Sequence, residues 1–455
     1  MKTKTTKTIT TEDDYVPNDR WNLVSITFIF HGIALLMPWE IYITAYGYFT
    51  NHKLVPNIDE NDSNVNEQFK YQEYFLAAVT LIANIPNFLF QLMNLFISDD
   101  NAIGSYSQRV LFSIIGESVL MLSTLIMVFI DTSRHIGPFF YFTMITILIL
   151  NVFNGIYTST IYGLASKLPT GYSNFVVIGA NSCGTLISLW NICSLYLNQT
   201  NSSVISDYEN YAVIYFLSAF IILIIALATF IGLRFNNFYR YYMKESVIEP
   251  ELAKVQPINE LIESNECVGL SQYMIPLRLM WHQYLNVFMV FFVTLIVFPV
   301  LQVNIKTIDP HFLFNDQYVT QTYFNAIFCF FTFNFSALMG NLAAGYGYRI
   351  PPNRISFFIF ARILFIPFFV SCNLYPEFRS NVWPVLIQSD MVYIIGAFLF
   401  AFTSGYFSSL AVIYARENIP GPDPAIQGKF VSVFLYGGIL AGAFVSGQMV
   451  RFFVH

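Results

Sequence analysis

Residues 32–49 read GIALLMPWEIYITAYGYF, and the interpretation of the whole chain turns on them. The stretch is apolar enough to cross a bilayer as a helix, yet Pro38-Trp39-Glu40 interrupts it halfway. A carboxylate at the centre of a bilayer-spanning helix costs about 3 kcal/mol on insertion scales, and more in simulations. A group of that kind normally faces a polar cavity or a partner, so this helix is expected to line a pathway.

The surrounding composition points the same way. Of 455 residues, 55% are hydrophobic, 18% aromatic and only 11% charged. Soluble globular chains carry about 25% charged residues, so a water-soluble class is excluded. The net charge of -6 is spread over tails and loops, with no basic block suited to a nucleic acid polymer. Five cysteines, Cys183, Cys193, Cys267, Cys329 and Cys372, form no CxxC and no pairing with histidine. They read as small hydrophobes, and neither a metal site nor a disulfide framework follows. The first twenty residues are polar and lack the apolar core of a cleaved signal peptide.

Runs of about 20 apolar residues recur, each long enough to span about 30 Å of hydrocarbon as a helix. They cover 23–49, 72–97, 110–130, 137–165, 173–197, 211–233, 284–303, 318–345, 355–373, 390–415 and 430–450. The runs are continuous rather than alternating, and an open sheet would leave backbone groups unpaired in lipid, so helix is the expected structure throughout. One substantial polar insertion, 234–278, carries Lys244, Glu245, Glu249, Glu251, Lys254, Glu260, Glu263 and Glu266. It divides the chain into a tail (1–22), an N-terminal lobe of six helices (23–233), a central loop (234–283) and a C-terminal lobe of five (284–455). The expected fold is therefore an all-α membrane protein, with eleven transmembrane helices in a 6+5 two-lobed bundle like that of major-facilitator carriers.

Two signals orient this layout. With the N-terminus in the cytoplasm, fifteen Lys and Arg fall on the cytoplasmic side and six on the other, with Arg362 inside a span. That excess obeys the positive-inside rule. The glycosylation sequons at Asn61, Asn198 and Asn201 all fall in loops on the opposite side. An odd number of spans then puts the C-terminus outside, and the expected location is the plasma membrane.

Glu40, Glu117 and Arg362 are the ionisable groups furthest from loop ends. Each has two readings. One is a substrate site, a proton site or a charge pair that holds the lobes together. The other is a side chain that snorkels or is neutralised by a structural partner. Arg362, at the cytoplasmic end of its run, is expected to reach the interface. A second pattern is small and hydroxylated: NGIYTSTIYGLASKLP over 154–169 and GANSCG over 179–184. Such residues let helices approach closely, and their hydroxyls and amides either face a cavity or serve as packing contacts. In the eighth run, Asn334, Ala337 and Asn341 follow i, i+3, i+7 spacing and share one helix face, suited to a polar ligand or to a neighbouring helix.

These motifs, taken together and in order, resemble those of the equilibrative nucleoside transporter family. Leu35, Leu36, Pro38, Trp39, Thr44, Ala45, Tyr48 and Phe49 fit its first-helix signature, in which Met37 is an extra residue and Glu40 replaces an Asn. Gly155, Gly163, Leu164, Ala165, Leu168, Pro169, Tyr172, Gly179 and Gly184 match its fourth and fifth helices. Phe333, Asn334 and Gly340 match its eighth, and 361–373, 404–410, Gly437, Gly438 and Gly442 match its ninth to eleventh. The departures are Thr158, Ala337 and Asn341, which stand where the family has Gln, Asp and Arg.

The resemblance implies a facilitator for nucleosides, with nucleobases as a further candidate substrate, that uses neither ATP nor a cofactor. It implies that Trp39 and Ile43 line the cavity beside the base while Thr158 and Asn334 offer hydrogen bonds. Glu40, Phe330 and Asn341 complete the candidate substrate contacts. Glu117, Gly155, Gly163, Gly179, Gly184 and Arg362 are the candidate structural or gating residues. The three departures put ordinary ribose recognition in question, because a site built to hydrogen-bond its ligand loses discrimination when a partner is lost. Two alternatives stay open: an organic-cation or monoamine carrier using Glu40, and a non-transporting receptor on the same scaffold. No nucleophile elbow, metal-spaced His/Glu cluster or Walker loop suggests an enzyme.

Overall fold

The computed structural model describes residues 17–55, 65–97, 105–132, 135–200, 204–243, 268–309, 311–313, 317–375, 384–416 and 424–454. The sequons at Asn61 and Asn201 and residues 244–267 of the central loop lie outside this set. The apolar runs are helical, as a chain in hydrocarbon requires, because a helix satisfies its backbone groups within one segment.

The principal helices are α1 (Leu23–Thr44), α2 (Val65–Leu95), α3 (Tyr106–Val128), α4 (Ile136–Ser166), α5 (Tyr172–Thr200) and α6 (Val204–Leu233). After the central insertion come α7 (Val268–Val297), α8 (Thr332–Tyr346), α9 (Pro352–Ala361), α10 (Asp390–Tyr414) and α11 (Pro424–Val454). A short helix, Gln317–Phe324, and a π turn, Asn325–Phe331, lead into α8, while α9 continues through a 3-10 turn, Arg362–Leu364, into Phe365–Val370. Among the described residues, ten segments are long and apolar enough to cross a membrane. The remaining long helix, α2, carries Asn84, Asn87, Gln91 and Asn94 at helical spacing, which lowers its apolar content.

Packing falls into two groups, one from each half of the chain. Helix α1 lies against α5 and α6, α2 against α4, and α3 against α4 and α6. In the second half α11 lies against α7, and α10 against α8 and α7. The two groups meet along α5 with α8, and along α2 and α4 with α11. Large apolar side chains such as Phe112, Val119, Ile145, Phe357 and Leu364 stay exposed on the outside. An apolar exterior around a buried polar interior is the arrangement expected in a lipid solvent.

At one end, where α2 and α4 finish and α11 begins, the groups are pinned together. The Gly428 backbone sits so close to the Tyr162 carbonyl that any side chain there would collide. The Lys429 ammonium is buried and donates to the Ile97 carbonyl at 2.7 Å. It lies 5.0 Å from the Tyr106 ring centroid, and Arg109 and Lys167 each lie 4.6 Å from the same ring. Cations over an aromatic face are attracted by its quadrupole.

Candidate functional site

Helix α5 sets the geometry of the first-helix motif. On one edge, Gly179 faces Gly32 of α1 with the two backbones in contact, and a Cβ on either would strike the opposite main chain. One turn further along, the Cys183 thiol meets the Met37 sulfur at 3.5 Å. Glu40 lies within electrostatic reach of the same thiol. On the other edge, Gly184 leaves the space that the Asn334 side chain fills. The Asn334 amide donates to the Ser188 hydroxyl at 3.1 Å and to its own helix at the Phe330 carbonyl, also 3.1 Å. The structure thus joins Trp39-Glu40 and Asn334 through the two edges of one helix.

Trp39, Glu40 and Ile43 sit on the same stretch of α1, and all three keep accessible surface. Glu40 is also set deep in the bundle, which makes this strip of α1 a candidate cleft lining. No cation among the described residues faces its carboxylate. Phe330 is half-buried beside Phe298, with ring centroids 5.9 Å apart, and Phe298 stacks on Phe333 at 3.7 Å.

Thr158 falls elsewhere, in a buried amide network that hydrophobicity alone did not reveal. The Asn87 amide of α2 donates to Asn154 Oδ1 at 2.8 Å, and Gln91 donates to Asn87 Oδ1 at 2.6 Å. Asn154 donates in turn to the Leu35 carbonyl of α1 at 2.9 Å, and the Thr158 hydroxyl reaches Asn154 Oδ1 at 3.4 Å. Further along, Asn94 donates to Thr160 and accepts from Arg109. From the other helix group, the Tyr436 hydroxyl of α11 is in hydrogen-bonding reach of Thr158 and Asn87. The signal in the sequence was the spacing of Asn84, Asn87, Gln91 and Asn94, which places four amides on one helix face.

Asn341 is not brought to the α1 cleft. It is fully buried between α8 and α10, where its Oδ1 accepts from Ser409 at 3.1 Å and Ser408 at 3.4 Å. Gly155 and Gly163 are contact points of α4 with α2 and with α11. Asn198 lies within α5.

Two of the expectations for charged residues need correction. Arg362 does not reach an interface: it is buried in the 3-10 turn within the span Pro352–Val370. Its guanidinium donates to the Val290 carbonyl and the Thr294 hydroxyl, both at 3.0 Å, and to the Phe400 carbonyl at 3.4 Å. It also lies over the Phe400 ring, 5.1 Å from the centroid. Every one of these partners belongs to its own helix group, so no charge pair with Glu117 forms. Glu117, on α3, has no accessible surface, and neither carboxylate oxygen makes a hydrogen bond. The Asn154 amide lies beside it within hydrogen-bonding reach and also donates to Leu35. Among the described residues no group of three His, Cys, Asp or Glu could hold a metal ion.

A bundle of apolar spans around a partly accessible Trp-Glu pair is the architecture of a polytopic membrane protein. The structure of the proton:xylose symporter XylE shares this fold, with a TM-score of 0.58 at 12% identity over 95% of this chain and 88% of that one. Residues 144–451 match the nucleoside transporter family, and the chain belongs to that family. Its relatives include equilibrative nucleoside transporter 1 of Homo sapiens, 26% identical over 94% of this chain and 97% of the relative. Equilibrative nucleoside transporter 2 of Mus musculus is 25% identical with the same coverage. The protein is a multi-spanning member of a transporter family and not an enzyme.

Proposed function

We propose that this protein moves nucleosides, and nucleobases as a second substrate class, down their gradient by alternating access. Eleven spans, six in the lobe 23–233 and five in the lobe 284–455, would rock about the cleft beside α1, with 1–22 and the loop 234–283 in the cytoplasm. The end closed by Lys429 is then cytoplasmic, the C-terminus extracellular, and the sequon asparagines glycosylated at the plasma membrane. The observation that carries the reading is the accessible, deeply placed Trp39-Glu40 pair, one helix away from the Asn334 amide. Trp39 offers a flat face to stack a base, and Asn334 offers both a donor and an acceptor.

Trp39→Ala is expected to lower uridine uptake by about tenfold at unchanged surface expression, through loss of stacking worth about 1 kcal/mol or more. Unaltered uptake would remove α1 from the site. Cysteines placed at 36, 39, 40 and 43 should react with aqueous thiol reagents and be protected by substrate.

A second reading rests on one observation: the Glu40 carboxylate faces no cation among the described residues. That leaves a counter-charge free for an organic cation or a protonated base. Uptake of a monoamine by the wild type, abolished in Glu40→Gln with uridine uptake spared, would establish this reading. Uridine and amine uptake falling together would reject it.

A further inference from the structure

We infer that Glu117 is a proton-binding site whose occupancy changes as the lobes move, so that transport by this protein is linked to a proton. The functional half of this inference rests on the transport reading above; the site itself rests on packing. Glu117, Tyr157 and His31 come from α3, α4 and α1, and none has accessible surface. An ionised carboxylate isolated in such surroundings costs far more than a neutral one, and taking up a proton removes that cost.

Among the described residues the donor within reach of Glu117 is the Asn154 NH2, one of whose two hydrogens is bonded to Leu35, while the Tyr157 hydroxyl is bonded to His31 Nδ1. His31 Nε2 has no partner, and its ring is enclosed by Phe28, Tyr157 and Phe230. From α1, the other titratable groups are Tyr42, which bonds Thr124 further along α3, and Glu40, which lies by Cys183 of α5. Buried residues of α6 are apolar, among them Leu223, Ala226 and Phe230, apart from Tyr215, which packs on Trp190. Its Glu209 is on the exposed surface, paired with His52 at 3.0 Å. On α3 itself, Arg109 is bonded to Asn94 and Ile97. No cation among the described residues lies near enough to hold Glu117 ionised.

The link to lobe motion comes from α11. Tyr436 is within electrostatic reach of Glu117 and completes the Asn87, Asn154 and Thr158 layer beside it. It rides on the helix whose first turns, at Gly428 and Lys429, close the cytoplasmic end. Withdrawing α11 from α2 and α4 removes Tyr436 and admits water to that layer. A hydrated Glu117 then passes its proton to water as hydronium, and takes one back when the layer closes.

Two measurements on purified protein test this. Infrared spectra of wild type against Glu117→Gln should show the carbonyl stretch of a protonated carboxylic acid, present in the first and lost in the second. Uridine exchange in proteoliposomes should change at least about threefold across the physiological pH range in wild type, since occupancy of one site shifts up to about tenfold per pH unit. Glu117→Gln should be flat over that range, whatever its rate, and Glu117→Asp should restore a pH dependence. Absence of the infrared band overturns the site. A band with an unchanged pH profile in Glu117→Gln overturns the linkage. No exchange of any nucleoside would remove the transport reading and the linkage with it, while the infrared result still decides the site.

Discussion

Glu117 in the first helix group and Arg362 in the second are both enclosed by apolar packing, yet they are accommodated in opposite ways. Arg362 is surrounded by acceptors: two carbonyls, a hydroxyl and an aromatic face. Glu117 has beside it only the Asn154 amide, too few donors for an anion, among the described residues. The difference follows from the chemistry of the two groups. A guanidinium stays charged at any biological pH, so it survives burial only where the fold supplies hydrogen bonds. A carboxylate has the further option of becoming neutral, so the fold can leave it bare. The C-terminal group therefore uses its charge as a fastener between α7, α9 and α10, while the N-terminal group stores one that can be switched.

The largest expected effect that sharpens this contrast is at Arg362. Arg362→Leu should lower stability by about 3 kcal/mol, because it strips hydrogen bonds made by a charged donor. Arg362→Lys should recover less than half, since a point charge cannot reach three acceptors on two helices. Thermal unfolding in detergent measures both. Next comes the amide network: Asn87→Leu should cost about 2 kcal/mol by leaving the buried Gln91 amide without its acceptor and taking a donor from Asn154 Oδ1. At Glu117 itself the neutral isostere Gln should shift stability by less than about 1 kcal/mol, since it replaces a group that already makes no ionic contact. A loss there as large as at Arg362 would break the comparison. The smallest effect is expected for Tyr436→Phe, about 0.5–1 kcal/mol for one hydroxyl with two alternative partners. Its pH profile for uridine exchange should move more than its stability does.

The sequence announces the membrane helices, since runs of about 20 apolar residues leave few other structures open. It also announces the importance of α1, because a carboxylate beside Pro38 and Trp39 stands out against an apolar background. The glycines of α5 were legible as contact points, though not which helix each one meets: Gly179 meets α1 and Gly184 meets α8. The surroundings of Arg362 were not legible. Its distance from the loop suggested an interface, whereas partners 72, 68 and 38 residues away in the chain hold it inside. Asn334 and Asn341 share a face of α8, but the helix they meet changes along its length, from α5 to α10. The amides of α2 went unread because runs were judged by their apolar content, and a row of hydrogen-bonding side chains only makes such a run look weaker.

The contacts of α5 carry a last consequence. Only five positions separate Gly179, where main chain rests on main chain, from Gly184, where main chain receives a single amide side chain. The first contact is a weld, since neither strand of it can yield; the second is a socket that empties when one side chain swings. On the alternating-access proposal, helices α1 and α5 would travel as one plank, and the stroke would be taken up at the Asn334 socket. A bulky residue at 184 would jam the socket while leaving the weld intact, producing a carrier that folds and reaches the surface but stalls in mid-cycle.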